Sequence, residues 1–133
     1  MDHVTLVEGQ IEDGRKLIAT LEQKGFPVVA ACWIKTVEDP QWFLYIASPV
    51  VDARGGLRSY GQVHKIVSQM PQPFCIEPLD VKLIETTDPV TEGVQETLQR
   101  HPGKRLVRYT GDQLGDLSIE GVYIYPLPVE VSQ

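Results

Sequence analysis

The sequence has few cysteines and no long apolar run, and both features exclude classes of protein. Its two cysteines, Cys32 and Cys75, form no CxxC motif and have no histidine at the spacing of a zinc site. They argue against a zinc site and against a disulfide framework. The apolar runs, such as residues 42–47, are far shorter than the roughly 20 residues that a membrane helix needs. We therefore expect no membrane-spanning segment.

The chain also lacks the short motifs of common catalytic and nucleotide-binding sites. It contains no GxGxxG, no GxSxG, and no GxxxxGK followed by Ser or Thr. Ser48, Ser59 and Ser118 therefore have no hydrolase context. We expect no catalytic residues, no metal and no cofactor, and this favours a non-enzymatic role over an enzymatic one.

Positive charge is scarce as well. Twelve Lys and Arg against 18 Asp and Glu give a net charge of −6, which argues against a general role on nucleic acid or anionic lipid. The N-terminus has neither the basic nor the apolar region of a secretory signal, so we expect a cytoplasmic protein. The basic segment 100–108 keeps association with nucleic acid as a third, disfavoured hypothesis. It carries four basic residues and no acid: Arg100, Lys104, Arg105 and Arg108.

The composition and length are those of one globular domain. The chain has 133 residues, of which 42% are hydrophobic and 23% are charged. A chain of this length buries roughly two thirds of its unfolded surface, enough for one core. We place a single α/β domain at residues 1–126 and a C-terminal tail at residues 127–133.

Periodic apolar residues predict a first helix that ends at Gly25. The stripe recurs at spacings of four and three: Val7, Ile11, Gly14, Ile18 and Leu21. Glycine suits the left-handed position after a helix, and Phe26 can fold back onto the last turn.

Two apolar segments, residues 27–37 and 41–49, predict an antiparallel hairpin. Both strands are apolar on both faces, so they need cover from helices, from a second sheet or from another subunit. We expect a homodimer through an apolar sheet face or the hairpin edge, because four aromatic side chains offer more area than a small sheet face leaves in water. They are Trp33, Trp42, Phe43 and Tyr45.

The remaining patterns complete the order α-β-β-α-β-α-β-β. Hairpins are antiparallel, whereas a helix between strands of one sheet normally makes a parallel crossover. We therefore expect an α+β fold with a mixed, roughly five-stranded sheet packed with helices. The predicted elements are a second helix at about 57–70 with an apolar stripe beginning at Leu57, a strand at 81–85, a helix starting at Asp88 and Pro89, and strands at 105–110 and 119–125.

The stretch VDARGGLRSYGQVHKI, residues 51–66, contains the candidate ligand site. Glycines between a strand and a helix let a ligand approach the backbone, and N–H groups at a helix start attract anions. Here Gly55 and Gly56 are flanked by Arg54 and Arg58. The ordinary alternative is a tight turn capped by Asp52 with solvated arginines.

Two further side chains belong to the same hypothesis. Tyr60 and His64 are four residues apart, so they meet on a helix and could share a proton or contact the ligand. The alternative for His64 is a partly buried structural histidine. The second functional hypothesis is thus a small enzyme or sensor that binds a phosphorylated or carboxylated ligand at the strand-to-helix loop 52–58.

Three acidic residues recur at intervals of four near the C-terminus, at Asp112, Asp116 and Glu120. Calcium loops place their oxygen ligands more closely than this. Gly-Asp is common in turns between strands, so we interpret residues 111–116 as a turn.

Three segments together resemble a family of short bacterial proteins of unknown function. They are EDGRKLIATLEQKGFPVVAACWIK, QWFLYIASPVVD and LSIEGVYIYP, and they span most of the chain. The resemblance implies a bacterial, cytoplasmic, single-domain protein, and it implies no activity and no site residues. Our leading functional hypothesis is a non-enzymatic, soluble interaction module that self-associates.

Overall fold

The structure, a computed structural model, describes residues 8–129. These residues form an α+β fold in roughly the predicted order, with four α-helices and a mixed six-stranded sheet. The helices are α1 (Glu8–Gln23), α2 (Pro49–Arg54), α3 (Gly56–Ser68) and α4 (Pro89–Arg100). The strands are β1 (Ala30–Thr36), β2 (Phe43–Ala47), β3 (Val81–Ile84), β4 (Val107–Tyr109), β5 (Gln113–Leu114) and β6 (Leu117–Ile124), and a 3₁₀ helix (Pro78–Asp80) precedes β3.

The sheet has the strand order β3-β2-β1-β6-β4, with β5 paired to β6. The predicted hairpin of β1 and β2 is confirmed, with antiparallel pairs running from Ala30 with Ala47 to Ile34 with Phe43. Strand β3 pairs with β2 in parallel, and the other pairings are antiparallel. The prediction of five strands missed β5 because it has only two residues.

Helices cover both faces of the sheet. Helices α1 and α3 pack against one face around Trp33 and Leu44, and α4 packs against the other face around Cys32 and Ile124. This arrangement explains why the strands are apolar on both sides. Trp33 and Trp42, which motivated a dimer through the sheet face, are 0% and 8% exposed. The chain's own helices, rather than a second subunit, therefore cover these rings.

Helix α1 is tied to the sheet by two buried hydrogen bonds that share one hydroxyl. Trp33 Nε1 donates to the Tyr125 hydroxyl at 2.8 Å, and that hydroxyl donates to the Ile11 carbonyl at 2.7 Å. A β-carbon on Gly14 would lie 2.3 Å from the same hydroxyl. Gly14 therefore interrupts the apolar stripe of α1, because the Tyr125 hydroxyl occupies the space that a side chain at position 14 would need.

The predicted end of α1 is confirmed. Gly25 has a φ of 82°, and the Phe26 amide donates to the Leu21 carbonyl at 2.9 Å. Phe26 is fully buried in the core beneath α1. Val7, the first residue of the predicted stripe, lies outside the described residues.

The predicted second helix is confirmed as α3, and a short helix that was not predicted, α2, precedes it. The Ser48 side chain accepts a hydrogen bond from the Val50 amide at 3.1 Å and begins α2, and Gly55, with a φ of 83°, separates α2 from α3. Leu57 was placed in the buried stripe wrongly. It is 90% exposed, because the buried residues of α3 begin at Ser59.

The last part of the chain follows the prediction more closely. Asp88 caps α4, its carboxylate accepting a hydrogen bond from the Val90 amide at 2.9 Å. Leu127 and Val129 pack against the core beneath α1. The packed part of the chain thus extends into the segment that was predicted as a tail.

We expect Gly14→Ala to destabilise the protein by about 1–3 kcal/mol, because the new methyl group must displace the Tyr125 hydroxyl. Gly61→Ala is the matched control, since Gly61 lies inside α3 with nothing within 4 Å of an added β-carbon. It should stabilise the fold by about 0.5–1 kcal/mol through helix propensity. Urea denaturation checks both values, and equal effects of the two substitutions would contradict the role assigned to Gly14.

Candidate functional site

Residues 52–58 do not form the predicted strand-to-helix loop. They comprise the end of α2, Gly55 and the first turn of α3. Asp52 caps no turn, because its carboxylate accepts hydrogen bonds from the Thr86 amide, at 2.9 Å, and from the Thr86 hydroxyl. It therefore joins α2 to the segment that follows β3.

The arginines of this segment lie on the outer surface. Arg54 donates to Gln62 Oε1 at 3.2 Å, whereas Arg58 lies exposed on the first turn of α3, next to Gly56. The anion site stays a prediction, and its residues now belong to a helical surface.

Tyr60 and His64 are neighbours on α3, as their spacing predicts. Their ring centroids are 6.2 Å apart with an edge-to-face orientation. The Tyr60 hydroxyl, however, donates to the Pro78 carbonyl at 2.7 Å, so its proton is directed to the 3₁₀ helix and not to the imidazole. His64 is exposed, and its placement as a partly buried residue was wrong because Val63 and Ile66 form the buried face.

Two exposed leucines lie on the two elements that the Tyr60–Pro78 hydrogen bond joins, Leu57 on α3 and Leu79 on the 3₁₀ helix. Leu57 is 90% exposed and Leu79 is 78% exposed. We call the surface formed by Leu57, Tyr60, His64 and Leu79 the Leu57–Leu79 surface. The sequence did not predict this surface, because Leu57 has helical spacing to the buried residues of α3. It also does not show that the 3₁₀ helix, which carries Leu79, packs beside α3.

The borders of the Leu57–Leu79 surface carry opposite charges. Arg54 and Arg58 lie on the helical side, and Glu77 and Asp80 lie beside Leu79. Asp80 is fixed in place, since its carboxylate accepts hydrogen bonds from the Glu77 amide at 2.9 Å and from Gln41 Nε2 at 3.1 Å. Basic residues therefore lie next to Leu57 along the chain, and acidic residues lie next to Leu79.

The basic segment 100–108 lies far from this surface, around the edge strand β4 rather than around β3. Arg100 pairs with Glu96 at 3.1 Å, and the Arg108 guanidinium lies 5.8 Å from the centre of the Tyr123 ring. A cavity of about 350 Å³ is lined by residues 101–107 of the same loop.

The two cysteines are free thiols in different surroundings. Cys32 is a core residue, as predicted, and burial raises its pKa. Cys75 is exposed, and its amide donates to Asp13 Oδ2 at 2.7 Å. A hydrogen bond with the Asp13 carboxylate also raises the pKa of the Cys75 thiol.

The acidic residues near the C-terminus belong to a hairpin. Gly115, with a φ of 60°, and Asp116 form the turn between β5 and β6, so the turn predicted at residues 111–116 is confirmed only at its end, because residues 113–114 form β5. Within residues 8–129, no group of three or more His, Cys, Asp or Glu side chains is arranged to hold a metal ion. No helix of that same range is long and apolar enough to cross a membrane.

Comparison with protein-family models, curated proteins and solved structures finds no match to this chain.

We expect Cys75 to react with Ellman's reagent more slowly at pH 8 than an ordinary exposed thiol. Its raised pKa lowers the fraction of thiolate at any pH below the pKa, and the thiolate is the nucleophile. Asp13→Asn should accelerate the reaction. The control is Glu12→Gln, which removes a neighbouring exposed carboxylate that pairs with Arg15 instead. Equal rates for the two variants would contradict the role of Asp13.

Proposed function

We propose that the protein is a non-enzymatic interaction module that self-associates through the Leu57–Leu79 surface. The observation that carries the proposal is the exposure of two leucines on adjoining elements, around a fixed tyrosine. Burying one such side chain is worth about 1.5–3 kcal/mol, so two of them favour association. Apolar patches with polar rims are typical of interaction sites.

The charged borders support a second copy of the chain as the partner. In a two-fold interface the same surface meets itself, so residue i contacts residue j and residue j contacts residue i. A basic border on one side and an acidic border on the other satisfy this requirement. A two-fold rotation sets Arg58 of one protomer against the acidic border of the other, and the reverse contact forms with it.

We expect sedimentation velocity at high micromolar concentration to give twice the 14.9 kDa chain mass. Leu57→Asp should weaken the dimer at least about tenfold, because it introduces a charge at the apolar centre. Val37→Asp is the matched control, since Val37 is also exposed, at 52%, but lies at the turn after β1. A monomeric native protein would overturn the proposal, as would equal effects of the two substitutions.

The orientation of the dimer has its own test. Arg58→Glu and Glu77→Arg should each weaken association, because each sets like charges opposite one another in a two-fold pair. The double variant should recover much of the native affinity, since it exchanges the borders and restores complementarity. Sedimentation equilibrium measures all three constants. Additive weakening in the double variant would exclude this pairing.

Binding of a phosphorylated or carboxylated ligand at residues 52–58 is the second candidate function. It is favoured by the start of α3, where Gly55 provides no side-chain cap for the first N–H groups and Arg58 lies close by. Added sulfate should first shift the amide NMR signals of Gly55 to Arg58, and Arg58→Ala should weaken the effect. Signals that stay fixed at millimolar sulfate would exclude this site, and signals that move only at residues 100–108 would favour the nucleic-acid hypothesis.

A cytoplasmic location in a bacterium is part of the same proposal. Two free thiols, one of them exposed, are compatible with a reducing compartment. The bacterial origin is supported by the resemblance to short bacterial proteins.

A further inference from the structure

A polar cleft of about 320 Å³ lies at one end of the sheet, on the α4 side and away from the Leu57–Leu79 surface. The turn after β1, the two parallel strands β2 and β3, and the turn between β5 and β6 each contribute to its walls. The lining residues are Thr36, Val37, Glu38, Asp39, Tyr45, Lys82, Asp116, Leu117 and Ser118. Segments distant in sequence thus meet around one small volume.

The lining of the cleft carries an excess of negative charge. It has three carboxylates, Glu38, Asp39 and Asp116, and one ammonium group, that of Lys82. Lys82 Nζ lies 3.7 Å from Asp39 Oδ2, and the Thr36 hydroxyl donates to the same oxygen at 2.8 Å. The positive charge of Lys82 therefore neutralises the negative charge of Asp39, and the carboxylates of Glu38 and Asp116 leave the cleft with net negative charge.

Tyr45 is the aromatic residue of the lining, and Lys82 lies against its ring and against that of its neighbour Phe43. Lys82 Nζ lies 4.2 Å from the centre of the Phe43 ring and 5.6 Å from the centre of the Tyr45 ring. The negative face of an aromatic ring attracts a cation. The Tyr45 ring at the wall of the cleft therefore already attracts one cation, the ammonium of Lys82.

The Tyr45 hydroxyl opens into this cleft. Tyr45 is only 7% exposed, yet within residues 8–129 its hydroxyl forms no hydrogen bond. Every fully buried polar side-chain atom of that part of the chain has a partner, so the hydroxyl oxygen of Tyr45 is accessible from the cleft that it lines. The accessible hydroxyl is therefore free to form a hydrogen bond with water or with a ligand in the cleft.

The phenol is held in its neutral form. Burial, followed by the charges of Asp39 and other acidic groups including Asp116, raises the pKa of Tyr45 to about 12. The group therefore keeps its proton throughout the physiological range. It is able to donate to a carboxylate of the cleft and to accept a hydrogen bond from a ligand at the same time.

We propose that this cleft binds a guanidinium group, carried by a small molecule or by an arginine side chain of a peptide. A guanidinium matches the cleft in charge, in shape and in hydrogen bonding. Its planar set of N–H donors suits the carboxylates of Glu38 and Asp116 and the oxygen of Tyr45. Its flat face suits the single aromatic side chain of the lining, Tyr45, and its positive charge compensates the negative charge that Lys82 leaves.

Titration with butylguanidinium, followed by amide NMR, tests the proposal. We expect the signals of Tyr45, Lys82 and residues 116–118 to shift first, and the uncharged isostere butylurea to bind at least about tenfold more weakly. A peptide of sequence Gly-Arg-Gly with blocked termini identifies the source of the group. Tighter binding of the peptide indicates a protein ligand, and equal binding indicates a small molecule.

Three variants separate a specific site from general attraction to an acidic protein. Asp116→Asn and Tyr45→Phe should each weaken butylguanidinium binding about fivefold, the effect of losing one good hydrogen bond. Asp112→Asn removes an exposed carboxylate just before β5 that lies outside the lining, and it should leave the affinity within about twofold.

Three results would overturn the proposal. They are fixed signals around the cleft at about 20 mM ligand, a concentration more than a thousandfold above a micromolar dissociation constant; equal weakening by Asp116→Asn and Asp112→Asn; and equal binding of butylurea. Asp116→Asn lies on an exposed turn, so its result stands even if Tyr45→Phe disturbs the packing. None of these results depends on whether the chain dimerises, so failure of the cleft and failure of the Leu57–Leu79 surface are distinguishable.

Discussion

The shared hydroxyl of Tyr125 is the constraint on which the rest of the fold depends. It accepts a hydrogen bond from Trp33, 92 residues earlier in the chain, and donates one to the Ile11 carbonyl, 114 residues earlier. All of these groups lie in or beside the core, where a lost partner costs about 1–3 kcal/mol. The bond therefore joins the first helix, the central strand and the end of the last strand. This arrangement requires glycine at position 14, because only a residue without a side chain fits against the Tyr125 hydroxyl.

The elements whose signals are local could be predicted from the sequence. Gly25 and Phe26 end α1 through backbone conformation and one apolar contact, both encoded within a few residues. Asp88 and Pro89 begin α4 in the same way. The apolar alternation of β1 and β2 predicts their pairing because the turn between them is short. In each case the structure is decided by chemistry close along the chain.

The features that were missed depend on contacts distant in sequence. The stripe of the second helix is confirmed at Val63 and Ile66, but it was wrong at Leu57, because the buried residues of α3 begin only at Ser59. The anion-site hypothesis treated residues 52–58 as a loop because the short helix α2 was not predicted. The polar cleft was invisible, because residues 36–39, 82 and 116–118 have no relation until the strands are aligned. Periodicity predicts which face of an element is apolar, and it does not predict which distant turn lies beside it.

One register decides the position of both proposed surfaces. Strand β3 pairs in parallel with β2, Val81 against Leu44 and Lys82 against Tyr45. This alignment puts Lys82 in the cleft, against the rings of Phe43 and Tyr45, and it puts the 3₁₀ helix that ends at Asp80 beside α3. A slip of one residue would turn Lys82 to the opposite face, into the core that Val81 occupies beneath α1 and α3. Burying an unpaired ammonium is far costlier than burying valine. The cost of burying Lys82 therefore disfavours the slipped pairing of β2 and β3. The observed pairing in turn fixes the 3₁₀ helix, which carries Leu79 on the surface proposed for self-association.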